Sequence, residues 1–112
     1  MEQLTITLTG RRPVRIKKAE WPIIAAADWH DGEVRWQADR VWRLTVRQHA
    51  DGRAIVYGVH ETAVPTEHDR RGGELLPPGA DIPAAVYRVA EDLGFDRWLA
   101  ERVIADLPAE EL

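Results

Sequence analysis

Two runs rich in β-branched and aromatic residues, 41–49 and 53–61, flank the tripeptide Ala50-Asp51-Gly52, and no other feature restricts the fold of this chain as strongly. Val, Ile, Tyr, Trp and Thr suit a pleated, half-buried surface, and three loop residues ending in glycine suit a type I turn closed by a left-handed residue. Pairing His49 with Arg53 sets Val46 opposite Val56, Leu44 opposite Gly58 and Trp42 opposite His60, with Thr45 opposite Tyr57 and Arg43 opposite Val59. Side chains alternate along a strand. One face therefore carries Trp42, Leu44, Val46 and Val56, and the other Val41, Arg43, Thr45, Arg47, Ile55, Tyr57 and Val59. A slip of one residue would exchange the two sets, so the turn decides which face each side chain takes.

Further strands are expected before this hairpin. Leu4, Ile6 and Leu8 alternate with Thr5 and Thr7, and Gly10 ends the run. Residues 14–20 alternate weakly ahead of Pro22, as an edge strand or irregular stretch would. Residues 23–29 form a third candidate strand, closed by His30-Asp31-Gly32, and Val34, Trp36 and Ala38 alternate with polar neighbours in a fourth. Residues 62–80 contain three prolines and three glycines around a charged stretch, so a long loop is expected there, either a linker or a binding loop.

Two helices should close the chain. Asp81 stands at a capping position before Pro83, and Ile82, Ala85, Val86, Val89, Ala90 and Leu93 recur at helical spacing up to Gly94. Asp96 is placed to cap a second helix with the stripe Leu99, Ala100, Val103, Ile104 and Leu107, which Pro108 ends. Both are too short to persist without packing on a sheet. The expected fold is α+β: an antiparallel β-meander of four to five strands (residues 3–61), the loop 62–80, and a helical pair (residues 81–107) on one face, in a single domain.

Composition narrows the chemistry. Among 112 residues there is no cysteine and no serine, which removes disulfides, thiolate ligands and the two commonest nucleophiles. The histidines His30, His49, His60 and His68 show no metal-ligand spacing, although His60, His68 and Asp69 would converge if the loop folded back on the hairpin end. No phosphate-cradling glycine motif occurs. No cofactor or metal is expected, and the reading leans away from catalysis; a His or carboxylate site is the enzymatic option that remains. No apolar run is long enough to span a membrane, and the opening residues lack a leader pattern, so a cytoplasmic location without membrane contact is expected.

The remaining signals concern partners. Residues 1–53 carry a balance of +3 and residues 54–112 one of −7, within a net charge of −4. If the helices cover the Trp42 face of the hairpin, the other face stays open, presenting Arg43, Arg47, Ile55, Tyr57 and Val59, with Arg70 and Arg71 of the loop beside it. Such a patch suits a protein partner or a homodimer seam. The leading expectation is a small non-catalytic protein-binding module, a regulator or inhibitor of a larger bacterial or phage complex. A nucleic-acid-binding accessory domain is the alternative, with Arg11, Arg12, Arg15, Lys17 and Lys18 meeting phosphates and Trp21 and Trp29 stacking bases. The acidic net charge favours protein.

Overall fold

In the computed structural model, which describes residues 2–32 and 39–109, the central hairpin takes the register expected from its turn. His49 donates its amide to the Arg53 carbonyl (2.9 Å), and Gly52 occupies the left-handed region at φ 96°. The elements in chain order are β1 (Gln3–Ile6), β2 (Val14–Lys17), a 3-10 turn (Lys18–Glu20), β3 (Ile23–His30), β4 (Arg40–Gln48), β5 (Ala54–Thr62), β6 (Arg70–Leu76), α1 (Ile82–Asp92) and α2 (Arg97–Asp106). Strands β3, β4, β5 and β6 form one antiparallel sheet in that order, and β1 pairs with β2 in a separate ribbon. The architecture is α+β, with both helices on one face of the sheet. The strand expected around Val34, Trp36 and Ala38 lies outside the described residues.

The helix-side core follows from the hairpin alternation. Leu44, Val46 and Val56 are fully buried against Ala85, Val86, Val89, Leu99, Ala100 and Val103. Gly58 is required where the corner between the helices meets β5, because a Cβ there would lie 2.6 Å from Leu93 Cδ1 and 3.1 Å from the Phe95 ring. Asp81 caps α1 by accepting the Ala84 amide (3.0 Å). Asp96 stands at the N-cap of α2 but its side chain makes no capping bond.

Two expectations need correction. First, the second face of the hairpin is not left open. The β1–β2 ribbon folds onto it, burying Ile6, Leu8, Ile16 and Trp21 against Ile55, with Leu4, Val14, Tyr57 and Leu75 around them. Five apolar side chains with no other core to enter drive that closure.

Second, residues 62–80 are not a long loop, because β6 lies within them and pairs with β5 from His60↔Arg70 to Ala54↔Leu76. The connector before β6 is tied down as well. The Arg40 guanidinium grips Glu67 through Nε (2.8 Å) and Nη2 (2.6 Å) and Asp31 through Nη1 (3.0 Å). Asp69 accepts the Thr62 amide (2.9 Å). Bonding to Arg40, aided by the Thr62 hydroxyl, holds the Glu67 carboxyl down at about 2. Asp31 is lowered in the same direction, chiefly by the Arg40 main-chain amide.

Candidate binding groove

The ribbon covers only part of the sheet. Beside β1 a groove of about 270 Å³ remains, walled by Leu4, Thr5, Ile6 and Thr7. Strand alternation sets its floor: Arg47, Thr45 and Arg43 of β4 recur every second residue, Tyr57 and Val59 of β5 stand beside them, and Arg71 of β6 pairs with Val59. Lys18, Glu61, Gly58 and the exposed Ile23 of β3 complete the lining.

Charge in this groove is unbalanced. Arg47 is only 8% exposed, yet among the described residues its guanidinium meets no carboxylate: Nε donates to the Tyr57 hydroxyl (2.9 Å) and Nη1 to the Trp21 carbonyl (3.0 Å). Neither the Arg43 nor the Arg71 side chain has a hydrogen-bond or ion-pair partner among the described residues. Lys18 is held by Glu2 at 3.4 Å. Asp28 stands across the ladder from Arg43 but is not part of the groove wall. Among the lining residues three arginines thus share the groove with one acid, Glu61, while Asp28 stands on the same face of the sheet beside Arg43. The cost of withdrawing a cation from water is normally met by a nearby anion. Arg47 has two neutral oxygens instead.

The residues expected to meet a partner divide into three groups. Arg43, Tyr57, Val59 and Arg71 line the groove together with Arg47, which forms its buried base. Ile55, at 1% exposed, belongs to the core beneath the ribbon and touches no partner surface. Arg70 lies on the helix side, in the same ladder row as His60, and donates to the Leu93 carbonyl (2.6 Å). Thr5 and Thr7 were not expected in such a site, and the threonine alternation in β1 was their only mark in the sequence; Lys18 was expected to meet phosphates instead.

The set expected to hold nucleic acid is likewise split. Arg11, Arg12, Arg15 and Lys17 are exposed on the ribbon and its turn, with Lys18 half-buried at its end. Trp21 is buried between His49 and Arg53, its ring centroid 5.0 Å from each, so it offers no face to a base. Trp29 pairs with Trp42, whose face carries the helix-side core, so it lies on the side of the sheet opposite the ribbon.

That helix-side end of the sheet carries a second notable surface. Trp29, Trp42, His60 and Arg70 form one ladder row across all four strands. Successive rings of the first three lie 4.7 Å apart, and Trp98 stands edge-on to Trp29 at 6.4 Å. Trp29 and Trp98 are 42% and 38% exposed. Of the cations beside this surface, Arg40 is engaged by Glu67 and Asp31, Arg70 by the Leu93 carbonyl, and Arg102 stands over the Trp98 ring at 5.7 Å. His60 and His68 do border one cavity there, but His60 is buried with Nδ1 3.2 Å from the Val41 carbonyl, and Asp69 is turned to Thr62. No group of three potential metal ligands occurs among the described residues.

No helix among the described residues is long and apolar enough to cross a membrane. Comparison with protein-family models, with curated proteins and with solved structures finds no match to this chain.

Proposed function

We propose that the chain is a small non-catalytic module that binds an acidic surface of a protein partner through the groove beside β1. The observation that carries this reading is the Arg47 guanidinium, buried without a carboxylate partner among the described residues and flanked by Arg43 and Arg71, whose side chains have no partner there either. An incoming anionic side chain would supply the missing counter-charge in a partly desolvated setting, where such pairs are strongest. Besides the apolar Leu4, Ile6, Ile23 and Val59, the lining offers cations, threonine and tyrosine hydroxyls and one carboxylate, a set suited to holding an anionic segment with apolar neighbours rather than to moving protons. Regulation or inhibition of a larger complex is the cellular role this reading implies.

The test is retention of proteins from a native lysate on the immobilised chain, with and without nuclease, against the variant Arg43→Glu/Arg71→Glu. Tyr57→Ala is avoided because the Tyr57 hydroxyl supports Arg47. A defined acidic protein that survives nuclease and is lost from the variant, with the thermal midpoint nearly unchanged, is the expected result. Equal retention by both forms overturns the reading. Retention of the chain itself would make the partner a second copy. The nucleic-acid alternative keeps support from the exposed Arg11, Arg12, Arg15 and Lys17, and it requires retained material that disappears with nuclease and binding that weakens steeply with salt.

A further inference from the structure

We infer that the groove takes its partner by strand addition: an extended acidic segment pairs with the free edge of β1, and its side chains reach Arg47 and the Arg43–Arg71 level below. This rests on the reading of the groove as the partner site and adds how the partner is held.

Three observations converge on it. The groove is walled by four consecutive residues from β1 onward, Leu4 to Thr7, and by none of β2, so it runs along the edge of β1 that faces away from β2. That edge has unused main-chain groups. Lys18 donates its amide to the Glu2 carbonyl (3.1 Å) in the ladder that continues as Leu4↔Ile16 and Ile6↔Val14. In an antiparallel pair, hydrogen-bonded and non-bonded positions alternate, so Leu4 and Ile6 turn their amides and carbonyls to β2 while Thr5 and Thr7 turn theirs outward. Thr9, next in the outward series, shows the direction by donating to the Gly73 carbonyl of β6 (2.9 Å). Among the described residues nothing pairs with the outward main chain of Thr5 or Thr7. A row of unpaired amides and carbonyls is a template for another strand.

The spacing of the cations selects the shape of the occupant. Arg47 and Arg43 are four residues apart on β4, about 13–14 Å at roughly 3.4 Å per residue, with Thr45 and Tyr57 between them. One small anion cannot serve both levels. A segment paired with β1 runs from the Lys18 end beside β3 towards Thr9 at β6, across β4 and β5, so acidic residues on its sheet-facing side pass over the row formed by Arg43, Val59 and Arg71.

Fluorescence anisotropy with the labelled peptide Thr-Glu-Thr-Val-Thr-Glu-Thr tests this on the full chain. Three controls accompany it: the same peptide N-methylated at alternate peptide bonds in each of the two registers, and a peptide with lysine in place of glutamate. Binding of the first, weakening by about tenfold or more on N-methylation in one register only, and loss with lysine are expected. Thr7→Pro, which removes an outward donor and leaves the β2 ladder intact, should weaken binding by a similar factor. Full affinity of both N-methylated peptides, with loss on Arg43→Glu/Arg71→Glu, would overturn strand addition while leaving the acidic-partner reading in place. Failure of the acidic peptide to bind, together with no effect of the charge reversal on lysate retention, would overturn both. Tighter binding of a labelled oligothymidylate than of the peptide would also overturn the inference.

Discussion

The two faces of the four-stranded sheet are closed by different means. On the helix side, α1 and α2 lay down a continuous apolar layer in which Leu44, Val46, Val56, Val86, Val89 and Val103 are fully buried. On the ribbon side a two-stranded hairpin covers the Ile55 end and leaves the Arg43 end as a groove, so one surface is half core and half site. Helices bring a broad apolar stripe, whereas a short ribbon brings one narrow row of side chains and an unpaired edge. A sheet face covered by a ribbon therefore keeps both floor and main-chain donors available.

Core truncations should separate the faces most strongly. Leu44→Ala on the helix side is expected to cost about 3–4 kcal/mol in urea unfolding, and Ile6→Ala under the ribbon about 2 kcal/mol, because a site next to a groove can relax or hydrate. Equal losses would mean that the two faces are equally tight. Next in size, Arg47→Met should change stability by no more than about 1 kcal/mol, since the lost bonds to Tyr57 and Trp21 are offset by removing a buried cation that lacks an anion. A loss comparable to Leu44→Ala would show that the fold depends on that charge, and binding of the acidic peptide should fall in either case.

Acid titration gives the smallest effect. The folded Glu67 carboxyl sits at about 2, below its ordinary 4.5, so its contribution is complete above 4.5 and is lost as pH falls towards 2. The urea midpoint should decline across that window, and Glu67→Gln should flatten the decline without altering peptide binding. The change should be modest because the Glu67–Arg40 pair is partly solvated. An unchanged pH profile in Glu67→Gln would place the acid-sensitive contacts elsewhere.

How far the molecule can be read from its sequence varies with the range of the forces involved. The β4–β5 register was legible because a three-residue turn with Gly52 fixes it locally, and the helices were legible because their apolar stripes repeat at short spacing. β6 was hidden: Arg70-Arg71-Gly72-Gly73-Glu74 shows no alternation, and the segment is a strand because β5 offers an edge and because Gly73 exchanges bonds with Thr9 from the far end of the chain. The groove was half legible. Arg43, Arg47 and Tyr57 follow from the hairpin alternation, whereas the burial of Ile55 and Trp21 depends on where the ribbon docks, a contact between segments distant in sequence.

The tie between Thr9 and Gly73 carries a kinetic consequence. The β1–β2 ladder is local, and among the described residues the ribbon reaches the sheet through a few apolar side chains and this long-range pair of bonds, so it forms a cooperative unit that opens at lower free energy than β4 and β5. Amide hydrogen exchange at Leu4 and Ile6 then reports that opening rather than global unfolding. A segment added to β1 across the sheet would clamp the ribbon shut, making slower exchange there and partner affinity two readings of one equilibrium.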